Sequence, residues 1–517
     1  MLQTLLLGKC AGKFCRSFFQ TDTPVRVPRD GCNPRSLNVA GGFFVVLYGR
    51  RVRLLYCMAS NPWRTQSSQN SEVMTEPVLL NDHQLQAFLR EGYISVEADL
   101  SAGFHSDVHS QITHLYATSG NPGNDILPLV PDLHRVLAHA AVAGALTSLL
   151  GPDYLLHPHR HCHQNLAGSQ GQGMHEDSYE ADQNVRHHRL RWVMAFYYPQ
   201  HVNADNGPSS IVPGTQYMTT TTQHAGPDEL PLQGRAGTVT FVHYDLWHRA
   251  MANSSDHDRF MVKFLFTRMS EPLQASWKHE GAAWPSTGRS EDALLAGLWD
   301  WMRGVPTSAS DGSPSVAQLT EQLEDEDEMR RYAAACHLGV NGREGVVVLL
   351  EALRREGGRR LQGNIDRSHT NPVQFDAAYG LTAAGPTAVP VLINLLRDAS
   401  WWLRASAADI LGDIGLAAVT GVDALIESLQ DESEWVRRNA AEALGNMGEP
   451  AAAAQPDLAE CLQDCDTTVR YNAALALAKI KGGNREALHQ ATEDENPYVR
   501  DLAIEAITRS MSSMLPT

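Results

Sequence analysis

Gly173-Met174-His175-Glu176-Asp177-Ser178-Tyr179 follows closely on His157-Pro158-His159-Arg160-His161-Cys162-His163. In extended backbone alternate side chains point the same way, so His175 and Asp177 share a face. They can then offer one imidazole nitrogen and one carboxylate oxygen to a single ion. The same period of two puts the four histidines of 157–163 on one face of a strand, as pocket lining or as ordinary strand histidines. With a distant third imidazole, His175 and Asp177 complete a two-histidine, one-carboxylate facial set that leaves positions open on a transition metal. A second His-x-Asp, His105-Ser106-Asp107, sits where Val108, Ile112 and Leu115 recur at helical spacing. There residues i and i+2 point about 200° apart and cannot chelate one ion.

Outward from this segment the chain reads as short strands. From Tyr154 onward come short alternating runs, of which 192–198, 238–243 and 260–266 are aromatic and β-branched, and turn sequences stand at Asn206-Gly207 and Asn253-Ser254-Ser255-Asp256. Short strands without intervening helices favour a sandwich or jelly roll. Upstream, Asn81 is placed to cap a helix carrying Leu85, Phe88 and Leu89, and residues 93–96 read as a strand. Residues 135–150 are apolar at helical spacing and stop at Gly151-Pro152.

Downstream the sequence repeats. Asp398, Asp431, Asp464 and Asp494 are each followed six residues later by an arginine, Arg404, Arg437, Arg470 and Arg500, and then by an Ala-rich helix. Weaker copies stand at residues 329–339 and 373–385. A period near 30 with two short amphipathic helices per unit signals an α-solenoid, because one unit alone cannot bury its apolar face. The units resemble HEAT-like repeats, and the period gives a fold without naming a function.

Bulk properties narrow the rest. At 517 residues the chain exceeds one hydrophobic core. The division expected is a basic extension at 1–73, a strand-rich domain at 74–300, a linker at 301–318 (Ser/Gly/Pro-rich over 307–315) and repeats at 319–517. A net charge of -17 argues against general nucleic-acid binding. The eight cysteines include no CxxC pair, so neither a disulfide framework nor a zinc site is expected. The best apolar run, residues 41–49, is too short to span a membrane. Residues 1–73 carry a net +7 and place Lys9, Lys13 and Arg16 on one helical face. That pattern fits a mitochondrial presequence, a disordered tail or a start site upstream of the native one at Met58 or Met74. The expected compartment is cytoplasmic, or mitochondrial if the extension is a presequence.

After His175-x-Asp177 come Asp205-Asn206-Gly207, Pro213-Gly214-Thr215-Gln216, Gly237-Thr-Val-Thr-Phe-Val-His243, His248 and, eleven residues on, Arg259. Over roughly residues 76–270 this order resembles the phytanoyl-CoA dioxygenase family of Fe(II)/2-oxoglutarate oxygenases. The resemblance implies a double-stranded β-helix with Fe(II) held by His175, Asp177 and His248. It also implies 2-oxoglutarate anchored by Arg259, Trp192 flanking this co-substrate, and O₂ as oxidant. His243 competes for the third ligand position, but only His248 has the arginine at the family spacing. A tight hairpin turning between Asn253 and Ser254 is predicted to make 248 and 259 cross-strand neighbours.

Two departures, Ala250 in place of a small hydroxyl residue and Thr215-Gln216 in place of Ser-His, set this chain apart from the family's usual substrate. Asp177 keeps the carboxylate whose loss accompanies halogenation, so hydroxylation of a small-molecule or acyl substrate is expected. The alternatives are desaturation or epimerisation at the same iron, or an inactive oxygenase-like scaffold. A protein partner is expected on the repeats, and no nucleic acid.

Overall fold

A computed structural model describes residues 36–39, 43–48, 51–56, 76–177, 188–218, 229–307, 314–362 and 376–512. The chain divides into two compact units, residues 1–58 and 59–517. In the first, β1 (Ser36–Val39), β2 (Phe43–Tyr48) and β3 (Arg51–Tyr56) form an antiparallel sheet in that order. Val45, Val46 and Val52 among Phe, Leu and Tyr are strand-forming residues. The sequence reading of 1–73 predicts no strand there. Its basic face at 9–16 lies outside the described residues, as do 308–313 of the predicted linker.

In the second unit, β4 (Tyr93–Glu97), β5 (Tyr154–Asn165), β6 (Trp192–Tyr197), β9 (Thr238–His243) and β11 (Arg259–Arg268) make a five-stranded antiparallel sheet ordered β4-β9-β6-β11-β5. A smaller antiparallel sheet, β10-β7-β8, comprises β7 (Ser209–Ile211), β8 (Leu230–Pro231) and β10 (His248–Ala250). Met194, Phe196, Val242, Met261 and Leu265 of the large sheet join Ile211 of the small one in one apolar cluster. The other face of β6, β9 and β11 is equally buried, and β6 accordingly reads as an unbroken apolar run.

Helices cover that outer face and its edges. α1 (Asp82–Glu91) starts with a capping box at Asn81 and buries Leu85 and Phe88, each worth about 2–3 kcal/mol when removed from water. α2 (Ala102–Ser119) follows, with His109 and Tyr116 edging onto Phe260 of β11. The helix predicted over 135–150 is two helices, α3 (Leu133–Ala138) and α4 (Ala140–Leu150). His139 between them is non-helical, and its side chain caps the second helix by accepting from Ala141 N–H.

α5 (Asp292–Met302) leads to the repeats, whose inner helices are α6 (Glu328–Val340), α7 (Asp376–Ala384), α8 (Trp401–Ile414), α9 (Glu434–Met447), α10 (Thr467–Ile480) and α11 (Pro497–Ser512). The conserved-looking spacing of aspartate and arginine has a mechanical meaning. Each aspartate carboxylate accepts a backbone N–H two residues on, making the turn before its helix. Each arginine donates to the carbonyl of its own aspartate and, except for Arg500, to the carboxylate of the next. The ladder Arg404–Asp431, Arg437–Asp464, Arg470–Asp494 stitches neighbouring repeats.

The repeats lie directly against the strand-rich region. Asp413 of α8, fully buried, accepts from His188 N–H at 2.8 Å and from Arg191 Nε at 3.0 Å. Arg191 also donates to the Gly412 carbonyl and pairs with Glu271. At the far end Arg509 of α11 donates to both oxygens of Asp153, each at 2.9 Å. Among the described residues no helix is long and apolar enough to cross a membrane.

Candidate metal centre

His175 and His248 are brought together by backbone. Each donates its N–H to the other's carbonyl at 3.0 Å, an isolated antiparallel bridge that extends the small sheet beyond β10. Directly opposed residues project on the same side, and the two imidazole centroids are 4.5 Å apart. Asp177, two residues on, points the same way. The three side chains each place a ligand atom within 4.8 Å of the others.

The donor set suits a divalent cation. His175 Nδ1–H donates to the Gly173 carbonyl at 3.0 Å and His248 Nδ1–H to the Leu246 carbonyl at 2.8 Å. Because a carbonyl only accepts, both rings carry their proton on Nδ1 and turn an Nε2 lone pair inward. Those Nε2 atoms stand 4.0 and 3.9 Å from the Asp177 oxygens, contacts that leave room for an ion between them. Burial pushes His248 down to about 4, so it is a neutral ligand near pH 7. Burial alone would favour protonation of Asp177, but Lys263 and His248 outweigh it and hold the carboxyl below its usual range.

Lys263 is the functional neighbour that sequence reasoning missed. Its ammonium donates to Asp177 Oδ2 at 2.9 Å, and both groups are buried. It stands four residues from Arg259 on β11, with the same parity, and that parity is its sequence signal. Nothing in the sequence points it at Asp177.

The predicted hairpin pairing of 248 with 259 does not occur. His248 pairs with Ile211 in the small sheet, whereas Arg259 pairs with Asn165 in the large one. The intervening segment bonds elsewhere: Met251 N–H goes to Pro208 and Ser254 N–H to Asp205, so the chain crosses between sheets instead of folding back. Arg259 is nonetheless buried, giving Nε (2.8 Å) and Nη2 to the Gly207 carbonyl and lying 5.9 Å from the Tyr198 ring. The Nη1/Nη2 edge of its fork is the edge that can still meet a carboxylate.

Trp192 pairs with Thr267, at the opposite end of β11 from Arg259, roughly 27 Å of strand away at ~3.4 Å per residue. Its ring lies beside His157 (5.4 Å) and Tyr244 (6.2 Å), not beside Arg259. The competing His243 accepts from Asp245 N–H and is not in the cluster, and His105 bonds Tyr197 and Ala98. A second buried group, His188, Asp409 and Asp413, also converges. There Arg191 already supplies the positive charge that Asp413 requires, so it reads as an ion-pair network.

Residues 97–261 match the model of the phytanoyl-CoA dioxygenase family, and residues 389–456 and 456–514 match HEAT repeats. No curated protein matches the chain. Similar solved structures include the non-heme α-ketoglutarate-dependent carbocyclase SnoK from nogalamycin biosynthesis. It is 17% identical, over 38% of this chain and 88% of that one, with a TM-score of 0.32. EctD from S. alaskensis with 2-oxoglutarate and 5-hydroxyectoine is 18% identical over 38% and 78%, with a TM-score of 0.33. HygX from Streptomyces hygroscopicus with nickel and 2-oxoglutarate bound is 15% identical over 40% and 92%, with a TM-score of 0.31. The chain thus carries a phytanoyl-CoA dioxygenase family domain followed, in the same polypeptide, by HEAT repeats.

Proposed function

We propose that this chain is an Fe(II)- and 2-oxoglutarate-dependent oxygenase that hydroxylates a small-molecule or acyl substrate, built on a double-stranded β-helix. The observation that carries this reading is the convergence of His175, Asp177 and His248 with both Nε2 lone pairs turned inward by backbone carbonyls. Iron with 2-oxoglutarate, when bound, supplies O₂ activation for attack on a C–H bond.

The chain's own residues do the rest. His175, Asp177 and His248 would hold the metal, a three-ligand set of the kind that leaves positions for co-substrate and O₂. The outer edge of the Arg259 fork holds the distal carboxylate of 2-oxoglutarate in a dry site, where a charge-assisted pair is strong. Lys263 would balance negative charge beside the centre when Asp177 serves as a ligand. Because Asp177 fills the third ligand position, a halide has no place there, which supports hydroxylation.

The test is spectroscopic. Anaerobic protein with Fe(II) and 2-oxoglutarate should give the weak visible charge-transfer band of a chelated keto acid. His175→Ala and Asp177→Ala should abolish it, and His105→Ala should keep it. A band lost in His105→Ala and kept in His175→Ala would overturn the ligand assignment.

A further inference from the structure

His161 and His163 share the parity of Asn165, the residue opposite Arg259, and face the side of the sheet that holds the candidate centre. Beyond a register shift opposite Phe264–Phe266, contacts put His157 and His159 on that side too, His157 beside Trp192 (5.4 Å) and His159 in the field of Lys263 and Asp177. His161 is opposite Lys263, which reaches Asp177. His163 is opposite Met261, and His157 and His159, farther along β5, take partners from the repeats. His159 Nδ1 is 2.9 Å from the hydroxyl of Tyr498 on α11, and His157 Nε2 is 2.7 Å from that of Tyr471 on α10.

The proton position on His157 follows from its partners. His157 Nδ1 accepts from the His159 backbone N–H, so its neutral ring carries the proton on Nε2 and donates to Tyr471. Asn124 Nδ2 donates to Tyr498 at 3.1 Å, and its Oδ1 accepts from Arg160 N–H, which fixes the amide's orientation. Tyr498 meets His159 Nδ1 either by donating its O–H or by accepting with its second lone pair.

A line of contacts runs from Tyr471 through His157, Trp192 and Tyr244, whose hydroxyl donates to the Asp177 carbonyl at 3.3 Å. Along β11 the Arg259 anchor is at one end and Thr267, the partner of Trp192, at the other, with Lys263 between. The repeats therefore meet the site on the side away from the co-substrate anchor. Asp413 with Arg191 and Asp153 with Arg509 fix them there.

We propose that the HEAT repeats form the substrate-facing wall of the oxygenase site. Tyr498 acts as a positioning residue that sets the tautomer of His159, so that His159 offers an Nε2–H donor to the substrate, and Tyr471 holds the neighbouring His157 ring by accepting its Nε2–H. This rests on the reading of the metal centre given above.

The test uses full-length, metal-free protein labelled with [15N]histidine, with resonances assigned by their loss in His157→Gln and His159→Gln. Both Nδ1 atoms should be unprotonated in the wild type. Tyr498→Phe, which keeps the ring, should shift His159 Nδ1 toward a free tautomer mixture. It should also raise C2-proton exchange at His159, read by mass spectrometry, roughly fivefold while leaving His161 nearly unchanged. Asn124→Ala should move the same signals in the same direction, which keeps the test open if Tyr498→Phe folds poorly. Unchanged shifts and exchange in both variants, or a protonated wild-type Nδ1 on His159, would overturn the proposal. With Fe(II) and 2-oxoglutarate added, Tyr498→Phe should retain the charge-transfer band, and its loss would put Tyr498 on the co-substrate side. A wild type lacking the band but giving the expected nitrogen shifts would remove the oxygenase reading and leave the contact itself standing.

Discussion

Lys263 and Asp177 form a buried pair in which one member has an alternative partner and the other has none. Removing the ammonium leaves a buried carboxylate facing only two imidazoles at about 4 Å, so Lys263→Met should destabilise metal-free protein by roughly 3–5 kcal/mol. Zn(II), as a redox-inert probe, should recover most of that loss by taking over the carboxylate. Urea melts with and without Zn(II) check this, and an equal loss in both would place the metal away from Asp177. Arg259→Ala should weaken 2-oxoglutarate binding about 100-fold, near 3 kcal/mol, with metal affinity little changed, because the ligand carboxylate loses a charge-assisted partner. Equal affinity in titrations of variant and wild type would move the anchor elsewhere. Of these residues, His175 and Asp177 are nominated by type and spacing, whereas His248 and Arg259 enter through the family resemblance; the structure brings His175, Asp177 and His248 together. The role of Lys263 is not legible in the sequence, because strand parity gives a side chain's face but not its reach. Tyr471 and Tyr498 are further still from view, separated from their histidine partners by 314 and 339 residues.

At the scale of elements the repeats were the easiest part to read and the β10–β11 connection the hardest. A period near 30 follows from stacking, and the Arg–Asp ladder explains why those two residue types recur. A turn-rich segment such as 253–256, by contrast, specifies a bend without specifying which sheet receives the next strand. One substitution separates packing from propensity. A Cβ on Gly445 of α9 would lie 2.7 Å from the Ala476 Cα of α10, and the equivalent atom on Gly412 would lie 2.8 Å from Ala443. Intrinsic preference alone says that Gly445→Ala stabilises its helix by about 1 kcal/mol. The close approach says the opposite, and Gly445→Ala should lower the melting temperature of the full-length protein. A rise in calorimetry would show that α9 and α10 can part without cost.

For the molecule as a whole, the contact between the repeats and the strand-rich region should respond to pH. Burial, reinforced by Asp153 and offset by Arg509, pushes Glu505 of α11 up to about 7 from an ordinary 4.5. The folded state then holds a proton that the unfolded chain releases, so this group favours folding fully below about 4.5. Its contribution falls as pH rises to about 7 and stays level above that. Wild-type protein should therefore lose stability relative to Glu505→Gln between pH 5 and 7, and melts of both across that range check the sign. A constant difference would show that Glu505 is solvated. The Asp153–Arg509 clamp has a further consequence, for biosynthesis. Its partners are 356 residues apart, and translation at ~5–20 residues per second separates their emergence from the ribosome by roughly 20–70 s. For that interval the histidine face of β5 is made but the tyrosines that pair with it are not, so in a nascent chain His157 and His159 wait for α10 and α11.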